Sequence, residues 1–321
     1  MLVNGKWVAD WQPVQAKDDQ GRFVRQVSSF RNWITADGSG GPTGTGGFKA
    51  EAGRYRLYVA LICPWASRTL MARKLKGLEG LIAVTVVNPV LTDQGWAFGG
   101  YPGAGEDPLH GAHHLHQLYT HADPDFTGRA TVPVLWDENT DTMVSNESAD
   151  IVRMFNSAFA GQVPGTPDLY PVDLRDAIDA LNAEIYDRLN NGVYKAGFAS
   201  TQAAYDEAVA GVFATLDQLE ARLSGDFLFG DRFTESDIRL FVTLIRFDAA
   251  YHGLFKTNRK RIADYPRLSD YMARVLRLPG VRETVNIDHI KAGYYSIKAL
   301  NPGGIVPAGP DHIHALLEAA Q

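Results

Sequence analysis

Tyr55-Arg56-Leu57-Tyr58-Val59-Ala60-Leu61-Ile62-Cys63-Pro64-Trp65-Ala66-Ser67-Arg68-Thr69-Leu70-Met71-Ala72-Arg73-Lys74-Leu75 decides the fold. Tyr55, Leu57, Val59 and Leu61 alternate with Arg56, Tyr58 and Ala60, which is the period of a strand. From Pro64 the period changes. Leu70, Met71 and Leu75 recur at helical spacing, with Arg68, Arg73, Lys74 and Lys76 expected on the opposite face. Pro64 suits the first helical position, where its missing N–H would be unpaired anyway. Gly77 or Gly80 ends the helix.

Working outward, residues 82–87 form a β-branched run and read as a second strand. Residues 88–128 are rich in Gly and His and are expected to be an elaborated loop. Residues 132–136 read as a third strand. Pro133 stands at its start, where proline is tolerated and a cis peptide is expected. A polar turn follows at 137–141, Met143-Val144 continues a hairpin, and a helix begins near Glu147. Strand, helix, strand, hairpin, helix is the thioredoxin plan: a mixed sheet with helices packed on it. From about residue 165 strand signals vanish. Leu174, Ile178, Leu181, Ile185 and Leu189 recur at helical spacing, as do Val209, Phe213, Leu216 and Leu219, then Leu240, Leu244 and Phe247. Thr234-Glu235-Ser236-Asp237 reads as a capping box. The fold class is therefore an α/β N-terminal domain followed by an all-α bundle. The expected boundaries are an N-terminal extension and Gly-rich linker (1–47), the α/β domain (48–160), the bundle (165–300) and an extended tail (301–321).

The chain of 321 residues is 45% hydrophobic and 21% charged, enough apolar material for a sizeable core. A net charge of -6 gives no broad positive field, so nucleic acid and anionic membrane are not expected partners. The N-terminus has no apolar run after a basic start, and no segment reaches the ~18 apolar residues of a membrane span. The single cysteine excludes an internal disulfide and a cysteine-based zinc site, and fits a reducing, cytoplasmic compartment. Gly38-Ser39-Gly40-Gly41-Pro42-Thr43-Gly44-Thr45-Gly46-Gly47 reads as a flexible linker. It fails as a phosphate loop, because Phe48 separates the last Gly from Lys49 and Ala50 follows. His110, His113, His114 and His116 lack a Cys or a fixed acidic partner in sequence, so a solvated loop is expected and no metal.

Cys63, at a junction of strand and helix, meets unpaired backbone N–H groups and the positive end of the helix dipole. Both favour thiolate over thiol, and Arg68, one turn along, adds positive charge. The bland alternative is a small buried core residue. Ala66 occupies the second position of what would be a Cys-x-x-Cys motif, so a mixed disulfide at Cys63 must be opened by an external thiol.

Tyr58-Val59-Ala60-Leu61-Ile62-Cys63-Pro64-Trp65-Ala66 resembles the active-site segment of the glutathionyl-hydroquinone reductases, the xi class of glutathione transferases. Further resemblance lies in Leu91-Thr92-Asp93-Gln94-Gly95-Trp96, in the stretch from Thr127 to Asp137 and in Asn146-Glu147-Ser148. It continues through Asn191-Gly192-Val193-Tyr194-Lys195-Ala196-Gly197-Phe198, Arg246-Phe247-Asp248 with Tyr251, and Tyr294-Tyr295. The ordered set spans about residues 23–310. It implies a glutathione transferase fold, glutathione as co-substrate, aromatic glutathione conjugates as substrates and a homodimer. Cys63 would attack the sulfur of a glutathionyl-hydroquinone, and a second glutathione would release glutathione disulfide. Trp96, Arg129, Val132, Glu147 and Ser148 would bind glutathione. Glu147-Ser148 at a helix start suits an amino-acid head group. Tyr194 would shuttle a proton on the quinol ring. Tyr251 and one of Tyr294 or Tyr295, Tyr294 by spacing, would line the ring site and stabilise the thiolate.

Two positions depart from the pattern. Ser67 stands where the family commonly has His, and Tyr295-Ser296-Ile297 lacks the His usual after Ser. Outside the resemblance, Trp96 reads equally as a core aromatic, Tyr194 more often as a core tyrosine and Glu147-Ser148 more often as a plain helix start. An omega-like thiol transferase or dehydroascorbate reductase shares the Cys63 chemistry without needing the tyrosines. A non-catalytic ligand carrier would need no reactive thiol.

Overall fold

The structure, a computed structural model, describes residues 1–9 and 16–320; residues 10–15 of the expected extension and residue 321 of the tail lie outside the described residues. The chain divides into two compact units, one containing residues 1–9 and 26–167, the other 16–25 and 168–320.

In the N-terminal unit, short strands β1 (Leu2–Val3) and β2 (Lys6–Trp7) pair antiparallel, and β3 (Ile34–Thr35) pairs parallel with β4 (Phe48–Lys49). The main elements follow: β5 (Tyr55–Val59), α1 (Pro64–Leu75), β6 (Ile82–Val86), α2 (Leu115–Ala122), β7 (Val134–Asp137), β8 (Thr142–Ser145) and α3 (Ser148–Ser157). The sheet order is β6-β5-β7-β8, with β5 parallel to β6 and the remaining pairs antiparallel. This is the mixed sheet expected from the sequence. β5 is central, so it is covered on both faces: Tyr55, Leu57, Tyr58 and Val59 are all inaccessible to solvent. The alternation of Tyr55 to Leu61 therefore does not separate a wet face from a dry one. Tyr58 satisfies its hydroxyl by donating to Asp107 at 2.7 Å. Arg68 and Lys76, expected on a polar face of α1, are buried. The Arg68 guanidinium lies 4.3 Å from the Trp65 ring centre, and Lys76 donates to the Pro167 carbonyl at 2.8 Å.

The Gly-rich segment is not a free linker. Its ends close on each other (Gly47 N–H to Gly38 O, 2.8 Å), Thr45 N–H donates to Asn32, and Trp33 donates to Thr43, which donates to Arg31 O. Residues 88–128, expected as loop, contain α2. Its start is fixed by Gln117, whose side-chain oxygen accepts from the N–H groups of His113 and His114.

The second unit is all-helical: α4 (Arg175–Glu184), a π-helical turn (Ile185–Asn190), α5 (Gly192–Gly197), α6 (Gln202–Arg222), α7 (Glu235–Arg246), a second π turn (Phe247–Tyr251), α8 (His252–Leu254), α9 (Pro266–Leu276), α10 (Ile287–Tyr295) and α11 (Asp311–Glu318). The capping box forms as expected, with Asp237 accepting from the Thr234 N–H at 2.8 Å. Asp237 also takes the Leu228 N–H and the Tyr271 hydroxyl, so it joins three segments. Asn190 in the first π turn donates to Arg239 O and Thr243, tying that turn to α7. The tail is not extended throughout: α11 buries Ile313 and Leu317, four residues apart on one face.

Candidate active site

Cys63 is the N-cap of α1. Its own backbone is extended, Ser67 N–H returns to its carbonyl at 3.0 Å, and no acidic residue stands in the first turn. The sulfur is partly exposed and lies 3.7 Å from the Val132 carbonyl, which accepts its S–H. Val132 precedes Pro133 through a cis peptide. The structure thus brings together two of the residues singled out in the sequence, Cys63 and Val132.

The segment before Pro133 is held by Tyr119 of α2, a residue that sequence reasoning missed. The Tyr119 hydroxyl donates to Thr131 O (2.8 Å) and accepts from Thr131 N–H and the Asn146 side chain (3.1 Å each). Its one donor and two acceptor sites are all used. Tyr119 therefore couples the Val132 segment to Asn146, the residue before Glu147. Burial pushes its phenol up from the ordinary value. Glu147 is the N-cap of α3. One carboxylate oxygen accepts from Ala149 N–H at 3.0 Å and the other from the Ser28 hydroxyl at 2.9 Å. Ser148, the first helical residue, is buried.

Trp96 and Arg129 are both partly exposed and stand on loops braced by the N-terminal residues. Trp7 donates from its indole N–H to Asp93 O at 2.9 Å and stacks on His116 with ring centres 4.6 Å apart. It also closes against Gly95, where a Cβ would lie 3.0 Å from the indole. Burial pushes His116 down to about 4, so it stacks as a neutral ring. Leu2 exchanges backbone hydrogen bonds with Gly128, and Asn4 N–H donates to Thr127, one and two residues before Arg129. The Arg129 N–H itself donates to Gln26 at 3.0 Å. Nothing in the sequence of residues 1–9 signals this bracing, which exists only through tertiary contact.

In the helical unit, three of the predicted tyrosines meet. The Tyr294 hydroxyl lies 2.5 Å from that of Tyr194 and 2.9 Å from that of Tyr251. Tyr295, the alternative, directs its hydroxyl toward Gly253 instead. Tyr251 and Tyr294 are buried, and burial raises both phenols well above the ordinary range, so both stay protonated. Tyr194 is partly exposed, packed among Phe198, Phe255 and Phe23 with the Arg25 guanidinium 4.8 Å from its ring centre. The motif around it has local reasons. Asn191 accepts from Arg25 at 2.6 Å, and Gly197 admits Phe255 where a Cβ would come within 2.4 Å. Tyr251 closes the second π turn, and the first lies just before α5. Such turns reset the register of a helix and recur at functional sites. Arg25 and Phe255 carry no sequence signal of their own.

Residues 62–158 match the glutathione S-transferase N-terminal domain and residues 202–274 the glutathione S-transferase C-terminal domain. The chain is 53% identical over 312 residues to the glutathionyl-hydroquinone reductase YqjG of Escherichia coli, covering 96% of this chain and 94% of that one. The glutathione-bound structure of YqjG superposes with a TM-score of 0.89 at 51% identity, covering 96% and 95%. The Xi glutathione S-transferase of Phanerochaete chrysosporium gives 0.87 at 49% identity, covering 92% and 94%. With a thioredoxin-like sheet, Cys63 at the N-cap of α1, a helical second unit and likeness of this extent over nearly the whole chain, the protein belongs to the glutathione S-transferase family, in the Xi-class group that includes the glutathionyl-hydroquinone reductases.

Proposed function

We propose that the protein removes glutathione from glutathionyl-hydroquinones. The observation that carries this reading is the hydroxyl chain of Tyr194, Tyr294 and Tyr251, present in the same polypeptide as an N-cap cysteine. In the first step the Cys63 thiolate attacks the thioether sulfur of the conjugate. A Cys63–glutathione disulfide forms, the aryl C–S bond breaks, and its electron pair passes to the ring. In the second step the thiol of free glutathione attacks that disulfide, giving glutathione disulfide and regenerating Cys63. The proton lost from glutathione balances the one gained by the ring. The helix dipole at the start of α1 favours the thiolate over the thiol. Trp96, Arg129, Val132, Glu147 and Ser148 are the residues proposed to hold glutathione.

An aryl carbanion is a poor leaving group, so the ring carbon must be protonated as the C–S bond breaks, with the quinol drawn toward its keto form. Each hydroxyl in the tyrosine chain has one proton. If Tyr251 donates to Tyr294 and Tyr294 to Tyr194, Tyr194 can pass its own proton to substrate while the chain stays in place. Once given, the Tyr194 phenolate still accepts from Tyr294. A simple mixed disulfide needs none of this, because its leaving group is already a thiolate. That difference favours the hydroquinone reading over an omega-like thiol transferase or a ligand carrier. The proposal extends to a cytoplasmic homodimer, which light scattering on the purified protein checks. Among the described residues no helix is long and apolar enough to cross a membrane. Incubation with glutathionyl-hydroquinone and glutathione should give hydroquinone and glutathione disulfide in equal amounts. Binding of glutathione without turnover would leave the carrier reading in its place.

A further inference from the structure

The structure assigns a cation site that the sequence reading did not foresee, built from His110, His121 and Asp141 and suited to Zn²⁺. His110 precedes α2, His121 lies in its last turn, and Asp141 sits at the tip of the β7–β8 hairpin with a left-handed backbone (φ 51°). The Nε2 atoms of both imidazoles lie 2.7 Å from the Asp141 carboxylate, one at each oxygen, and the two ring centres are 4.4 Å apart. One ligand atom from each residue falls within a 4.8 Å span.

The place of His110 between two carboxylates suits a metal ligand oriented from behind. As a neutral ring it can carry only one N–H. If Nε2 donates to Asp141, Nδ1 is a bare lone pair. That Nδ1 is buried, has no hydrogen-bond partner among the described residues and lies 3.6 Å from a second carboxylate, Asp107. Two acceptors then face each other. With Nε2 on a metal, the proton moves to Nδ1 and points at Asp107, the carboxylate–histidine–metal arrangement that orients metal ligands. Asp107 is itself held in place. Its oxygens accept from Tyr58 OH and from the N–H groups of Leu109, His110 and Ala112.

Two imidazoles and one carboxylate form a borderline donor set that suits Zn²⁺, with a fourth position for water. Bonds of about 2.0–2.1 Å in a tetrahedron put ligand atoms roughly 3.3 Å apart, so the three ligand atoms, now within 4.8 Å of one another, need shift by no more than ~1.5 Å. The site is remote from the sulfur chemistry. Asp137, where the hairpin turn begins, pairs with Tyr55 at the start of β5, whereas Cys63 follows the other end of that strand. The cation would fasten α2, which carries Tyr119, to the hairpin. Its role is bracing.

Titration of the purified protein with Zn²⁺ against a coloured competing chelator tests this. The expected result is one equivalent bound by the wild type, unaffected by alkylation of Cys63, with a rise in melting temperature that chelator reverses. His121→Gln and Asp141→Asn should each weaken binding by ~10-fold or more while circular dichroism stays unchanged. His121→Gln keeps a hydrogen bond to Asp141, so loss of binding is not loss of the hairpin contact. Equal binding by both variants, loss only on Cys63 alkylation, or no saturable binding by the wild type would overturn the assignment.

Discussion

Cys63 and Tyr194 are held in different ways. Cys63 sits where a strand ends and a helix begins. The residues proposed to hold glutathione stand on loops and at a helix start, anchored by long-range hydrogen bonds from Tyr119, Trp7, Leu2 and Ser28. Tyr194 sits on a short helix, and its hydroxyl bonds the buried Tyr294 phenol, which in turn bonds the buried Tyr251 phenol. The first arrangement presents backbone and N–H groups, which suit a peptide such as glutathione. The second presents a chain of protons in an apolar setting, which suits an aromatic ring. On the proposed function this is a division of labour: the α/β unit would serve the sulfur and the helical unit the ring.

Substitution at Tyr194 tests that division most strongly. Tyr194→Phe should slow glutathionyl-hydroquinone reduction by ~10²-fold, typical of losing a general acid. Reduction of a small glutathione mixed disulfide should hardly change. Equal losses on both substrates, in parallel steady-state assays, would reduce Tyr194 to a packing residue and favour the thiol-transferase reading.

Tyr119→Phe attacks the other side. It leaves Thr131 and the Asn146 side chain without their buried partner, at a cost of about 2–3 kcal/mol. It should raise KM for glutathione several-fold and affect both substrates alike. Denaturant unfolding and steady-state kinetics read the two effects. An unchanged KM would show that the Tyr119 network supports the fold and not the glutathione site.

A smaller effect separates the units by pH. In the helical unit, burial raises the Asp237 carboxyl to about 6. Its folded pKa lies above the unfolded one. The stability it contributes is fully present below about 4 and is lost as pH rises through about 6. In the N-terminal unit, Asp137 is depressed: burial works to raise it, but bonds from Arg54, Thr140 and Asn139 outweigh that. Its contribution has the opposite sign, present above about 4 and lost as pH falls through the lowered value. Of these two carboxyls only Asp237 titrates between pH 5 and 7, and its titration should cost the helical unit about 1 kcal/mol. Hydrogen exchange of α7 and α9 amides at the two pH values measures this. Asp237→Asn should remove the dependence; an unchanged slope in that variant would assign it to other groups.

Much of this was readable from the sequence, for identifiable reasons. Residues 55–75 change period at Cys63, and that change fixes both the sheet and the N-cap. The capping box at Thr234 was legible because its partners are three residues apart. α2 was hidden because it spans eight residues in a His-rich segment, and its start depends on Gln117 rather than on a familiar cap. The Gly-rich segment misled because composition is blind to Asn32 and Thr43 closing it. The tyrosines of the hydroxyl chain lie at 194, 251 and 294, too far apart for any spacing rule, and only family resemblance pointed to them. The choice between Tyr294 and Tyr295 needed the rotation of α10, which packing sets. His110 and His121 came together with Asp141 only because the hairpin tip folds back beside α2.

The central claim is that Cys63 takes glutathione from the conjugate as a disulfide. Intact-protein mass spectrometry after a single turnover with glutathionyl-hydroquinone, without free glutathione, addresses it directly. The account predicts one glutathione added at Cys63, hydroquinone released in equal amount, removal of the adduct by added glutathione, and no adduct on Cys63→Ser. Release of hydroquinone at a comparable rate by Cys63→Ser, or an adduct that retains the aromatic ring, would contradict it.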